Sequence, residues 1–369
     1  MTAFAGVAGK ILTPHIARVT GETNIWCHGC GRQREAGTFC MTTLSLAEAT
    51  TWVAAVFERH GCSTQSALSV ARALVAAEAD GLKGHGFSRV PTYLQMLRSG
   101  KIDGAARPSS TRPHPAVLAI DAAFGFAYPA IDLAIAELPQ LVSEQGIMVA
   151  SICHSNHCGA AGLPCEALAR RGLVVLLFAN TPGAIAPWGG RQPVFGTNPI
   201  AFAAPIEGRH PVVIDLALSK VARGPIAAAK QRGELIPEGW ALDSEGNPTT
   251  DPAKALKGTM VPLGDGKGAA LAFMVEILAA CLPGANLAFE ASSFLDGEGP
   301  PPATGQLMLA IDPAAFGHSR FNDRIAALAV AVERQSGARL PGARRVASRA
   351  RAAQVGIAIS PEIRALGAV

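Results

Sequence analysis

The stretch from residue 151 to 205, SICHSNHCGAAGLPCEALARRGLVVLLFANTPGAIAPWGGRQPVFGTNPIAFAAP, constrains this 369-residue chain more than any other. Residues 147–154 and 173–180 are short, largely apolar runs bounded by turn signals, the pattern of strands covered on both faces. Between them, residues 160–171 read as a helix entered through Gly159, Ala160 and Ala161. Small residues there let a backbone approach a bulky ligand, and a helix N-terminus offers free N–H groups to an anion. A second turn, Gly196-Thr197-Asn198-Pro199, opens a further strand at 200–204. Strand, small-residue turn, helix and strand in this order make a ligand-binding α/β module.

The rest of the chain frames that module. Periodicity of three to four predicts helices over 46–60 and 64–82, with Ser45 and Glu48 as a capping box. A further helix runs through GHGFSRVPTYLQMLRSGKIDG, residues 84–104. Strands are expected at 116–121, 125–127, 212–215 and 306–312, and helices at 129–145, 226–233, 269–282 and 321–336; a basic tail, ARLPGARRVASRAR, comes after them. Helices first, a mixed run, then helices again give a mixed α/β fold with a helical region built from both ends of the chain. No strand is followed by Gly-x-Gly-x-x-Gly and an acidic residue some twenty positions on, so an ordinary Rossmann unit is not indicated.

Composition narrows the function classes. Charged residues are only 16% of the chain against 49% hydrophobic, which excludes long solvated tails and coiled coil. The net charge of +4 comes with no basic run interleaved with aromatics, so nucleic acid is not a partner on this reading. No apolar run is long enough and charge-free to span a membrane. Five of the eight cysteines sit in apolar contexts, as buried free thiols of a cytoplasmic enzyme do.

Residues 1–40 differ in texture from the rest of the chain, and at Met41 an amphipathic pattern begins. They are expected to be an upstream extension or disordered. Cys27, His28, Cys30 and Cys40 contain one Cys-x-x-Cys, half a zinc site, but no second well-spaced pair completes it, so no metal is expected.

His85 and Arg89 stand four apart in GHGFSR. An imidazole moves protons at neutral pH, and a guanidinium four positions on would face the same side to hold a carboxylate in two bonds. A 2-oxo or 2-hydroxy acid needs this pair; a capping histidine beside a surface arginine is the plainer alternative.

These residues and their neighbours carry a resemblance. HSNHCGAAG, APWGG, GTNPIAFAAP and the block His85-Gly86, Arg89, Pro91, Tyr93, Gly100 resemble the malate/L-lactate dehydrogenase-type family of NAD(P)-dependent 2-hydroxyacid dehydrogenases and cyclic imino acid reductases. Similar wording runs from about residue 41 to 363. The resemblance implies His85 as proton donor and Arg89 as the substrate-carboxylate clamp, with Thr197, Arg223 and Gly224 at the substrate. It implies His157, Cys158, Gly159, Ala160, Ala161, Asp215, Leu216, Ala217, Lys267, Arg344 and Arg345 at NAD or NADP. It further implies a non-Rossmann cofactor domain with a mixed sheet at 116–315, a helical substrate domain at 41–115 joined by 316–369, and a homodimer.

Two departures matter. Many members place a serine where this chain has Gly84, and the imino acid reductases place an aspartate where it has Pro225. Both supports of the reductases' proton relay are missing, which favours a hydroxyacid dehydrogenase for malate, lactate or sulfolactate over a Δ1-pyrroline- or Δ1-piperideine-2-carboxylate reductase, with an inactive NAD(P)-binding protein as a remote third reading. Phrases such as EASSFLDGEGPPPATGQ look most like the sulfolactate dehydrogenase branch, and Arg89 with Arg223 would supply one cation for each end of a small dianion.

Overall fold

The computed structural model describes residues 42–317 and 320–367. The expectations for residues 1–40, the half zinc site included, lie outside them.

In chain order the elements are β1 (Thr42–Leu44), α1 (Leu46–Arg59), α2 (Thr64–Ala79), α3 (Val90–Arg98), β2 (Ser109–His114), β3 (Val117–Asp121), α4 (Ala127–Gln145), β4 (Ile147–Ser155), α5 (Gly162–Ala169), β5 (Val174–Ala179), β6 (Ile200–Ala204) and β7 (Val212–Leu216). They continue with α6 (Arg223–Arg232), β8 (Ala241–Leu242), β9 (Pro248–Thr249), α7 (Pro252–Lys257), β10 (Thr259–Met260), α8 (Gly266–Glu276), β11 (Thr304–Ile311), α9 (Phe321–Glu333), α10 (Ala343–Val355), β12 (Ile357–Ile359) and α11 (Pro361–Ala365).

Seven strands form the main sheet in the order β2-β3-β4-β11-β5-β6-β7. Only β3 and β4 run parallel; every other neighbouring pair is antiparallel. Side chains alternate across a strand, so each central strand feeds two cores. Val175, Leu177 and Ala179 of β5 and Met308 and Ala310 of β11 enter a core with α4 and α5. Phe178 and Leu307 point the other way, into a core with Ala272 and Val275 of α8. The apolar runs around 147–154 and 173–180 are explained by this double coverage.

A third core joins distant parts of the chain. Val53 and Phe57 of α1, Leu74 of α2 and Tyr93 of α3 pack with Ala352 of α10 and Ile357 and Ile359 of β12. β1 and β12 pair antiparallel and fasten the same junction. The predicted capping box opens α1: Ser45 Oγ accepts from the Glu48 N–H (3.2 Å), and the Glu48 carboxylate accepts from the Ser45 N–H (2.9 Å).

Two expectations need correction. Residues 125–127 are not a strand: Ala123 and Phe124 have positive φ (52° and 59°), the chain turns sharply, and Phe126 caps α4. The helix expected over 269–282 starts at Gly266 and ends in a π-helical turn, Ile277–Cys281. Within the basic tail, α10 carries arginines that pair with carboxylates.

Candidate active site

His85 closes the first of two short 3-10 turns, Lys83–His85 and Phe87–Arg89, that lead from α2 into α3. Buried Glu78, near the end of α2, holds this loop. Its carboxylate accepts from the Phe87 N–H at 3.0 Å and pairs with the Lys83 ammonium. A methyl group on Gly86 would overlap Glu78 Oε2, so any side chain there would push the carboxylate off the Phe87 N–H. Arg89 turns back on the loop, its Nε donating to the Gly84 carbonyl at 2.7 Å. Gly84 has open space where a side chain would project.

The His85 ring stacks on that of His157, with centroids 5.3 Å apart and planes 4° from parallel. His157 is buried and fixed through Nδ1, 2.6 Å from the Tyr93 hydroxyl, which lies 2.9 Å from that of Tyr128. Burial, then the Arg89 and Arg345 charges, push His85 down to about 4. Burial, Arg89 and His85 likewise hold His157 well below the ordinary imidazole range. Both rings are neutral at physiological pH. Burial pushes Tyr93 up to about 12, so its hydroxyl stays a hydrogen-bonding group and never a phenolate.

Residues 156–162 curl from β4 into α5. The His157 N–H donates to Asn156 Oδ1 at 2.7 Å. Gly159 has φ +71°, and a Cβ there would lie 2.7 Å from the Tyr128 hydroxyl, which binds the small-residue turn to the tyrosine pair. Cys158 is buried and its thiol is pushed up to about 12 by desolvation, so it is no nucleophile. Ala160 and Ala161 are buried beside it. Ser155 Oγ, Asn156 Nδ2, Gln306 Oε1 and His85 Nδ1 are buried with no hydrogen-bond partner among the described residues. Donors and acceptors left so are matched when a polar ligand arrives.

At the first turn of α5 the Gly162 N–H donates to Asp215 Oδ2 at 2.8 Å, and Arg345 reaches the same oxygen at 3.4 Å. Arg345 also lies 3.6 Å from Asp80. Four residues on, Arg349 forks onto two carboxylates, meeting Asp80 at 2.7 and 2.8 Å and Glu166 at 2.7 and 2.8 Å. Burial raises Glu166, but the bonds from Arg349 and Arg170 outweigh it and hold the group down to about 2. Sequence reasoning missed Asp80, Glu166 and Arg349. Burial raises Asp215 above the usual carboxylate value, against the Gly162 N–H and Arg345. Of the two tail arginines expected at the cofactor, Arg345 is spent on carboxylates, while Arg344 is exposed and bears no ion pair among the described residues.

The Gly-Thr-Asn-Pro turn is built on another buried network. The Thr197 N–H donates to Thr181 Oγ1 at 2.8 Å, with the two hydroxyls 3.2 Å apart. Asn198, at φ +39°, donates to Glu276 Oε1 at 2.8 Å and to the Ala272 carbonyl at 3.0 Å. Glu276 also accepts from the Ala288 N–H at 3.1 Å. Arg223, at the start of α6, is half-buried with no polar partner among the described residues, and desolvation lowers its pKa. Gly224 next to it is exposed, as is Leu216, while Ala217 is half-buried. Lys267, in the first turn of α8, is exposed and has no ion pair among the described residues. No hydrogen bond or ion pair among the described residues joins Thr197, Arg223 or Lys267 to the His85–His157 pair. A surface cavity of about 1190 Å³ lined by Arg170, Glu207, His210 and Asp312 contains none of these residues.

Three comparisons bear on this arrangement. A family model described as malate/L-lactate dehydrogenase matches residues 44–366. A (2R)-3-sulfolactate dehydrogenase (NADP(+)) from Chromohalobacter salexigens is 51% identical over 306 residues, covering 83% of this chain and 91% of that one. A Delta(1)-pyrroline-2-carboxylate/Delta(1)-piperideine-2-carboxylate reductase from Pseudomonas putida is 39% identical over 313 residues, 84% of this chain and 91% of that one. Among solved structures, a delta1-piperideine-2-carboxylate reductase from Pseudomonas syringae pvar. tomato superposes with a TM-score of 0.84 at 37% identity, covering 89% of this chain and 99% of that one.

Proposed function

The chain belongs to the malate/L-lactate dehydrogenase family of oxidoreductases, and on that premise we propose that it interconverts a small anionic 2-oxo acid and its 2-hydroxy acid with NADP(H), 3-sulfolactate being the favoured substrate. The observation that carries this is the stack of neutral His85 on tyrosine-held His157, with the Arg89 charge close enough to depress both.

A nicotinamide cofactor fits the residues present. The partnerless buried atoms of Ser155, Asn156 and Gln306 offer hydrogen bonds to a carboxamide beside the small-residue turn of Gly159, Ala160 and Ala161. Lys267 and Arg344 are cations available to phosphates, and Asp215, Leu216 and Ala217 would line the ribose side. When bound, the reduced cofactor supplies the hydride. Every other role falls to the chain. Arg89 holds the substrate carboxylate, Thr197 contacts the substrate, and Arg223, at the head of α6, meets the second acidic group. His85 takes the hydroxyl proton during oxidation, for which its neutral form is ready at any pH above about 4. During reduction it must carry a proton. A substrate carboxylate paired with Arg89 offsets one of the charges that depress the imidazole and raises its pKa, so substrate charge favours the loaded acid.

The cyclic imine reading is carried by the reductase relatives. Against it stand Gly84 and Pro225, which leave neither a hydroxyl nor a carboxylate at the positions of the reductases' relay. We further take α1–α3 with α10 as the substrate-carrying part and the seven-stranded sheet as the cofactor part, supported by the shared core of α1, α2 and α10. A homodimer accords with the exposed Phe273, Ile277 and Leu282 along one helix, and a cytoplasmic setting with the free thiols. No helix among the described residues is long and apolar enough to cross a membrane.

The test is NADPH and NADH oxidation with sulfopyruvate, oxaloacetate, pyruvate and the two cyclic imines. Turnover of the oxo acids alone, abolished in His85→Ala while NADPH still binds, is the expected result. Preferential turnover of the imines would overturn the proposal.

A further inference from the structure

A second cluster of chemically potent side chains lies on the strand that leads to His157 but takes no part in the His85–His157 arrangement. We propose that Asp121, Cys153 and His154 form a binding site for a divalent transition metal of the zinc class. Their ligand atoms all lie within 4.8 Å of one another, with His154 Nδ1 3.0 Å from Asp121 Oδ1 and 3.8 Å from Cys153 Sγ. A tetrahedral zinc, with bonds of about 2.0 Å to nitrogen or oxygen and about 2.3 Å to sulfur, sets such atoms roughly 3.3–3.6 Å apart. The two spacings from His154 bracket that range, so its ring already lies within a few tenths of an ångström of the distances such an ion would set.

The backbone has departed from regularity to bring these groups together. Asp121 of β3 stands opposite Cys153 of β4 in parallel register, so the two side chains share a face of the sheet. His154, next in sequence, would face the other way in a regular strand. The β4–β11 pairing shifts register here: Ser155 stands opposite Thr304 but Ile152 opposite Gln306, leaving three steps on β4 against two on β11. In that bulge His154 has φ +47°, a conformation costly for a residue with a Cβ, and its ring returns to the Asp121 side. The ring is then held. Phe124 stacks on it at 4.6 Å, and the Phe124 N–H donates to the His154 carbonyl at 2.9 Å. Asp121 Oδ1 is oriented by the Ala123 N–H at 2.7 Å, and the Cys153 thiol points to the Ile120 carbonyl at 3.7 Å.

The donor set and the access both suit such an ion. One thiol, one imidazole and one carboxylate are borderline to soft ligands, which select zinc, cobalt or nickel over magnesium or calcium. The Asp121 and His154 side chains are 46% and 39% exposed, so an ion can enter and water can complete its fourth position. Desolvation and the Asp121 carboxylate raise the thiol's pKa, so binding displaces one proton to solvent as sulfur donates its electron pair to the metal; no electron is transferred. A bound ion would tie the ends of β3 and β4 together at the turn that carries Phe126, whose ring packs against Tyr93.

The test titrates Co2+ into the full-length, chelator-treated protein. Expected is one equivalent showing a thiolate-to-cobalt charge-transfer band and the visible bands of a tetrahedral ion, absent in Cys153→Ser and weakened at least tenfold in affinity in His154→Asn. Absence of a thiolate band in the unmodified protein, or its persistence in Cys153→Ser, would overturn the assignment; persistence would place the ion on another cysteine. The unmodified protein gives an independent readout that does not depend on a variant folding. Zinc should slow iodoacetamide alkylation of Cys153 at least tenfold by peptide mass analysis, and an unchanged rate would refute the site.

Discussion

Tyr93 reaches His157 across 64 residues of sequence and sets its hydroxyl 2.6 Å from the imidazole Nδ1, while the helix that carries Tyr93 begins directly after Arg89. One rigid element thus governs both the carboxylate clamp and the ring on which His85 stacks. Tyr93→Phe leaves His157 Nδ1 without its partner in a buried setting and removes the bond to Tyr128. The expected cost is about 1–3 kcal/mol of stability with a fall in kcat larger than any rise in KM. A thermal melt and steady-state kinetics check this; an unchanged kcat would mean that His157 needs no anchoring.

The pH dependence has a definite sign. The folded pKa of His85, about 4, lies below its ordinary 6.5. Between those values the unfolded chain binds the proton and the folded one does not, so His85 leaves stability intact above 6.5 and subtracts from it as pH falls from 6.5 towards 4. For catalysis, kcat/KM for hydroxyacid oxidation reports the free enzyme. Its acid limb should bend near pH 4 rather than near 6.5. A bend near 6.5 would show that the ring is not held neutral.

Arg223 is a half-buried cation with no polar partner among the described residues. Arg223→Ala should raise KM for sulfopyruvate and oxaloacetate at least tenfold, the scale of one lost charge-assisted hydrogen bond of about 1.5–3 kcal/mol. KM for pyruvate, which lacks the second acidic group, should hardly change. Equal effects on all three would remove Arg223 from the second-head-group role.

Arg349 holds two carboxylates at once, Asp80 after α2 and Glu166 in α5. Arg349→Ala leaves Asp80 to Arg345, 3.6 Å away, and Glu166 to Arg170, and should cost about 1.5–3 kcal/mol in a denaturant melt. Glu166, held down to about 2 by Arg349 and Arg170, should then titrate higher, and acid unfolding should begin at a higher pH. A melt within about 0.5 kcal/mol of the unmodified protein, the scatter of ordinary surface changes, would show that the cluster is not structural.

What the sequence disclosed rests on local physics. Strands such as β5 and β6 are short apolar runs, and the capping box of α1 needs only Ser45 and Glu48 three positions apart. What it hid is long-range or exceptional. β2 reads SSTRPH, a polar edge strand without the alternation that marks half-buried ones. The turn before α4 depends on left-handed backbone at Ala123 and Phe124, residues that give no warning of it. For the site, the residue type and spacing of His85 and Arg89 were visible, but the Glu78 carboxylate that lies against Gly86 and accepts from the Phe87 N–H was not, since nothing local marks a buried acid as a loop anchor. The carboxylates for the tail arginines were hidden by distance, Glu166 and Arg349 being 183 residues apart.

That separation also orders events in time. Asp80 waits through 269 further residues for Arg349. A ribosome therefore releases the loop bearing His85 long before the helix that braces α2 exists, and the substrate side stays half-built through most of synthesis. Nascent chains that stop short of residue 343 should hold a formed sheet beside a loosened His85 loop, and the enzyme should acquire activity in one late step rather than by degrees.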